Sequence, residues 1–320
     1  LAPGDRDGIV VAHAPMVGTY TRCLTPCVRS GLVRLANLHG RATIVVADGP
    51  TLRAVDVEQA SHGALDPDPM VLSDLAVHPA LRELATSVDP AAWPVLDEAG
   101  LRAPVPRPPK GFGVALNYRA HAIESGRELP TEPALFGKTQ NCVAGPFDDI
   151  VLPPGRDHVD YEAELVIVFG RTAKAVKADD AWSHLAGVTC GQDISDREEQ
   201  FRPPVRQFTI AKSYDTFGPI GPWIVTPDEL DDPDALWLEG RLDGEVVQST
   251  CTDDLIFSVP ALVAWLTRFI TFGPGDLVWT GTPSGVGEAR QPQRFLRDGM
   301  VLETEIRGVG TMRNRVRVGR

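Results

Sequence analysis

Two glutamates one residue apart, Glu162 and Glu164, lie in the stretch DYEAELVIVFG. Side chains at i and i+2 of a β-strand share a face with Cα atoms about 6.5–7 Å apart, so two carboxylates can converge on one ion. Here Tyr161, Ala163, Leu165, Ile167 and Phe169 alternate with Asp160, Glu162, Glu164, Val166 and Val168. Holding two acids on a strand whose other face is apolar costs repulsion and desolvation unless a cation neutralises them. Taken alone, the pair reads more simply as two solvated carboxylates on a sheet edge. A third acid, Asp193, ends the apolar run LAGVTCGQD and would complete an all-oxygen site. Such ligands favour Mg²⁺ or Mn²⁺, with Ca²⁺ as a further candidate, over zinc.

A second chemical signal is NYRAHAIESG, residues 117–126. Read as a short helix, it places His121 and Glu124 at i and i+3, on one face. A carboxylate beside an imidazole fixes its tautomer and raises its basicity, as a general base requires. The simpler alternative is a solvated surface pair. Lys212, in AKSYDTFGPIGPW, reads as part of a strand before a Gly/Pro-rich turn, and fits a catalytic cation or a salt bridge equally well. TGTPSGVG, residues 280–287, matches neither GxGxxG nor GxxxxGK[ST]. It reads as a tight turn placing backbone N–H groups and Thr282 over a small anion. His13, His39, His62, His78, His158 and His184 show no convincing partners in sequence.

These groups need a scaffold, and 320 residues with 43% hydrophobic content can bury a sizeable core. The chain carries 31 Lys+Arg against 43 Asp+Glu, a formal charge of −12 without a basic block, which argues against a nucleic-acid partner. No run approaches the roughly 20 apolar residues of a membrane span, and the first residues lack a signal-peptide pattern. Five cysteines in an odd, sparse set read as reduced thiols of a cytoplasmic enzyme.

Residues 1–31 show no sustained period and read as a loose extension. Residues 32–107 read as a small N-terminal domain: short antiparallel strands with HG and DG turns, a helix from Ser73 to Leu84, then a connector containing six prolines. Residues 108–320 are mostly β. LWLEGRLDGEVVQST is a hairpin turning at Asp243-Gly244, and SVPALVAWLTRFI is an amphipathic helix with Ser258 as its cap. The expected fold class is mixed α/β, predominantly β.

In order and spacing, GVALNYRAHAIESG, PALFGKTQNCVAGPFDDIVLP, DYEAELVIVFG, GVTCGQDISDREEQ, AKSYDTFGPIGPWIVT and PGDLVWTGTPSGVG resemble the fumarylacetoacetate hydrolase family, from about Lys110 to the C-terminus. RLANLHGRATIVVADG also looks like the small N-terminal domain of its shorter bacterial members, the acylpyruvate hydrolase and oxaloacetate decarboxylase type. The resemblance implies a rolled mixed β-sheet catalytic domain and a divalent metal on Glu162, Glu164 and Asp193. It implies His121 and Glu124 as a general-base pair on a lid segment that orders when substrate binds, and Lys212 as the stabiliser of oxyanion charge. Arg197, Gln200, Thr282 and Lys138 match substrate-site positions, and a homodimer is implied. FRPPVRQFTI departs from the family pattern with its Pro-Pro pair and two arginines.

The expected reaction is hydrolysis of a C–C bond in an acylpyruvate-like or fumarylacetoacetate-like diketo acid. His121 would activate water, and metal and Lys212 would stabilise the enolate. Oxaloacetate decarboxylation, keto–enol isomerisation of a 2-oxo acid, and hydrolysis or dehydration of deoxy-sugar acids use the same groups. A non-catalytic metal-binding or small-molecule-binding homologue is the alternative of another class; intact His121, Glu124 and Lys212 argue against it. A phosphohydrolase would lack its Arg/Lys clamp.

Overall fold

The strand Ala163–Phe169 is hydrogen-bonded on both sides, antiparallel to Leu185–Gln192 and to Leu277–Trp279. It therefore has no free edge, and all seven of its residues are buried. Its alternation feeds two cores. Ala163, Leu165, Ile167 and Phe169 enter one apolar cluster, Val166 and Val168 another. Each fully buried aliphatic or aromatic side chain contributes roughly 1.5–3 kcal/mol, which fixes the register and with it the face that carries Glu164. In the first core Phe169 stacks on Phe272 with ring centroids 4.3 Å apart.

The computed structural model describes residues 33–87 and 89–319. The expected extension at 1–31 lies outside the described residues. Around the central strand runs a mixed 11-stranded sheet, in which Gly111–Ala115 pairs parallel to Leu277–Trp279 and most other pairs are antiparallel. A second, five-stranded sheet packs against it, built from Glu245–Cys251, Trp237–Leu242, Val301–Ile306, Gly310–Val318 and Ile150–Leu152. Its Trp237–Leu242/Glu245–Cys251 hairpin turns at Asp243 and Gly244, both at positive φ (52° and 81°), as a primed turn requires. The mostly-β mixed class expected from sequence is what forms.

The N-terminal strands Arg34–Leu38, Arg41–Asp48 and Thr51–Asp56 form the expected antiparallel meander. They extend the main sheet, because Arg34–Leu38 also pairs with Gly218–Val225. The proline-rich stretch is tied down too. Leu101–Arg102 pairs with Asn37 and Leu38, and Trp93, Leu96 and Val105 are buried.

The helix expected from Ser73 instead starts later, at His78, and runs to Ser87. Ser73 closes a short 3₁₀ turn, donating from its hydroxyl to the Met70 carbonyl, and the Asp74 carboxylate caps the following turn by accepting from the Ala76 N–H. These local side-chain bonds compete with helix at the entry. The Val259–Phe269 helix forms as expected, with the Ser258 hydroxyl accepting from the Ala261 N–H.

Cys142 and Cys190 are free and buried, whereas Cys251 is disulfide-bonded, contrary to the expectation of reduced thiols throughout. Among the described residues no helix is long and apolar enough to cross a membrane.

Candidate active site

Pairing of Ala163 with Gln192 puts the next residue of one strand beside the preceding residue of the other. Asp193 thus lies opposite Glu162, and its N–H donates to the Glu162 carbonyl at 2.9 Å. One carboxylate oxygen from each of Glu162, Glu164 and Asp193 lies within 4.8 Å of the others. All three residues are buried, so the reading of two solvated acids on a sheet edge does not hold.

Their partners are unequal. Lys212 Nζ donates to Glu162 Oε2, Asp193 Oδ2 and Ser195 Oγ, each at 2.7 Å. Arg197 Nη2 lies 2.7 Å from Glu162 Oε1. Burial works to raise the Glu162 pKa, but Lys212 and Arg197 outweigh it and hold the carboxyl down to about 2. Glu164 accepts a hydrogen bond from the Gly281 N–H at 2.7 Å and, among the described residues, forms no ion pair. Burial, then the Asp193 and Glu162 carboxylates, push its pKa well above the usual carboxylate range. A buried acid cluster in which Glu164 faces two like charges and has no ion-pair partner of its own among the described residues fits a hard divalent ion, which all-oxygen donors select.

Lys138 is placed behind this cluster and not among the residues lining the adjacent cavity. Its ammonium donates to Asp193 Oδ1 at 2.6 Å and to the Lys212 carbonyl at 2.7 Å. Burial opposes the charge, yet Asp193 outweighs it and raises the Lys138 pKa. Lys138 thus holds Asp193 from behind the cluster. Lys138→Met is expected to cost about 3 kcal/mol, the lower end for breaking a buried pair, because Lys212 still faces Asp193. Reversible denaturant unfolding checks this, and an unchanged midpoint contradicts it.

Beside the cluster opens a cavity of about 440 Å³, whose lining includes His121, Glu124, Glu162, Arg197, Gln200, Lys212 and Thr282. His121 and Glu124 sit in the helix Arg119–Glu124 with Nδ1 and Oε2 3.0 Å apart. Gly285 donates its N–H to the other Glu124 oxygen at 2.9 Å. The pair is therefore anchored as well as formed. Lys212 does not lie in a strand: it ends the helical turn Phe208–Ala211, and its three N–H groups are all directed at protein acceptors.

Arg197 is largely committed as well, with Nε and Nη2 on Asp160 Oδ2 at 2.9 and 2.8 Å and Nη1 on Gln200 Oε1 at 2.9 Å. Thr282 donates to the Ala163 carbonyl and accepts from Gln248. Three N–H groups of the 280–287 turn serve protein carboxylates: Gly281 meets Glu164, Gly285 meets Glu124, and Gly287 meets Asp160.

Further residues build the site beyond those the sequence singles out. Asp160 anchors Arg197 and the Gly287 N–H, and its position on the Glu162/Glu164 face was the available signal. Ser195 receives Lys212, while Phe136, Phe201, Phe208, Arg127 and Arg206 line the cavity. Nothing local in the sequence marks these. Among the histidines, His158 pairs with Glu198 and His39 with Asp97, both on the surface.

Comparison with known proteins places this geometry in a wider set. Human mitochondrial oxaloacetate tautomerase FAHD2A is 43% identical over 228 residues, covering 71% of this chain and 73% of that protein. Fumarylacetoacetate hydrolase from Exiguobacterium antarcticum superposes with a TM-score of 0.76 at 29% identity, covering 90% of this chain and 100% of that one. Maleylpyruvate hydrolase from a Sphingobium species, solved with manganese(II) and pyruvate, gives a TM-score of 0.69 at 30% identity over 90% and 100% of the two chains. The family model for the fumarylacetoacetate hydrolase C-terminal domain matches residues 110–317, the span that holds the acid cluster, the His121–Glu124 pair and Lys212. On both the sequence match and the shared fold, the chain belongs to the fumarylacetoacetate hydrolase family of enzymes.

Proposed function

We propose that this chain is a divalent-cation-dependent enzyme that interconverts the keto and enol forms of a short 2-oxo dicarboxylic acid, with oxaloacetate the first candidate. The observation that carries the reading is the common cavity of His121, held by Glu124, and Glu162 of the buried acid cluster. A proton-transfer group thus faces a site suited to a hard cation. Tautomerisation is favoured over bond cleavage by the 43% identity to a relative named for oxaloacetate tautomerisation.

Glu162, Glu164 and Asp193 would hold the ion, which when bound supplies Lewis acidity toward the oxygens of a 2-oxo acid. With its Nδ1–H given to Glu124, His121 keeps the Nε2 lone pair free. Toward the enol, Nε2 takes the proton from the carbon between the two carbonyl groups and returns one at the enolate oxygen; toward the keto form it takes the enol O–H proton and returns one at that carbon. Lys212 balances negative charge beside the acids, and Phe136, Phe201, Phe208 and Val286 limit water around the reacting carbon.

Hydrolysis of an acylpyruvate is the second reading, favoured by the Sphingobium hydrolase and by a cavity with room for both acid and water. There His121 takes its proton from water, and the hydroxide attacks the distal carbonyl.

Following the enol absorbance of oxaloacetate with product analysis separates these. Faster relaxation with protein and Mg²⁺, abolished by chelator and without matching pyruvate, is expected. Pyruvate and CO₂ forming in step with the signal would reassign the chain as a decarboxylase. Acetate plus pyruvate from acetylpyruvate, with no effect on oxaloacetate, would reassign it as a hydrolase.

A further inference from the structure

The cavity lining contains five cationic or imidazole groups: His121, Arg127, Arg197, Arg206 and Lys212. Three are already committed: His121 to Glu124, Arg197 to Asp160 and Glu162, Lys212 to the acid cluster. The lining acids are engaged as well. Glu124 has His121 and the Gly285 N–H, Glu162 has Lys212 and Arg197, and Glu288 lies 3.5 Å from Arg197. A monoanionic 2-oxo acid would place its only carboxylate at the metal site. A dianionic one would carry a second charge into the cavity, where none of these committed cations can neutralise it.

Arg206 can. It is exposed, lines the cavity, and among the described residues has no ion-pair partner. It is nonetheless positioned. Its guanidinium lies over the Phe201 ring, 5.5 Å from the centroid, and Phe201 lines the same cavity. The next residue, Gln207, donates its N–H to the Gln200 carbonyl at 3.1 Å, which ties this segment to the wall carrying Arg197 and Gln200. Arg127, the other exposed guanidinium of the lining, has no comparable side-chain contact among the described residues. A guanidinium fork held on an aromatic face matches a carboxylate with two parallel N–H bonds.

We propose that Arg206 forms a second anion subsite of this cavity, pairing with the distal carboxylate of a dianionic 2-oxo acid and selecting diacids over monoacids. This rests on the reading of the cavity as a 2-oxo-acid site. Arg206 lies in the FRPPVRQFTI segment, between Arg197 and Lys212 of the same cavity.

The test is calorimetric binding to the full-length, Mg²⁺-loaded protein of two acids with the same head group, 2-oxoglutarate and 2-oxopentanoate. The wild type is expected to bind the diacid about tenfold more tightly, the scale of one charge-assisted pair. Arg206→Gln should remove that difference while leaving 2-oxopentanoate affinity unchanged, and Arg206→Lys should restore part of it. Equal affinities in the wild type, or a preference that survives Arg206→Gln, would overturn the subsite while leaving the 2-oxo-acid reading intact. Loss of the preference in Arg127→Gln and not in Arg206→Gln would move the role to Arg127 and overturn the proposal. Binding of neither acid would instead remove the 2-oxo-acid reading itself.

Discussion

Glu164→Gln is expected to abolish divalent-cation binding while leaving the metal-free protein as stable as the wild type. The two halves have one cause. Without a cation, burial and two neighbouring carboxylates already push Glu164 toward its neutral form. Glutamine has the same shape as that neutral acid, and its oxygen can still accept the Gly281 N–H now held at 2.7 Å. The variant loses only the charge that an ion would use. At metal about 100-fold above Kd the wild type should gain about 2.7 kcal/mol from binding, several degrees in Tm. The variant should gain nothing. Thermal unfolding with and without Mg²⁺ or Mn²⁺ reads both halves at once. An equal metal-induced rise in the variant contradicts the acid-cluster assignment.

His121→Ala should do the reverse. The metal-induced rise in Tm should persist, since His121 is not one of the three clustered acids. Turnover should fall by about 10²–10⁴-fold, the usual contribution of a positioned general base. Glu124 has two anchors, His121 and the Gly285 N–H, so the alanine variant leaves its carboxylate hydrogen-bonded and the segment should stay folded. A loss confined to KM would make His121 a binding residue and not a base.

The strand DYEAELVIVFG was legible because period-2 alternation is a local property of its sequence. Its position was not. Only pairing with Leu185–Gln192 and Leu277–Trp279 makes it central, and only that pairing brings Asp193 opposite Glu162. His121 and Glu124 were readable because helical spacing alone makes them neighbours. Lys212 was readable as a residue type but not as a conformation, because the Phe208–Ala211 turn is set by packing against Phe136 and Phe201. The 280–287 turn was read as a seat for an anion. Three of its N–H groups do meet negative charge, from Glu164, Glu124 and Asp160, side chains 117, 161 and 127 residues away. Lys138 and Arg206 show the same limit from opposite sides. One basic residue is turned inward to Asp193 and the other is left facing the cavity, a difference made by tertiary structure alone.

The central claim is that His121, beside a cation-loaded acid cluster, moves a proton on a 2-oxo acid. Its most direct measurement is exchange of the C3 hydrogens of oxaloacetate with deuterated solvent, followed by NMR with Mg²⁺ and protein present. Protein-accelerated exchange that disappears with chelator and in His121→Ala is the predicted result. Exchange no faster than in buffer with Mg²⁺ alone, or equally fast in His121→Ala, would contradict it.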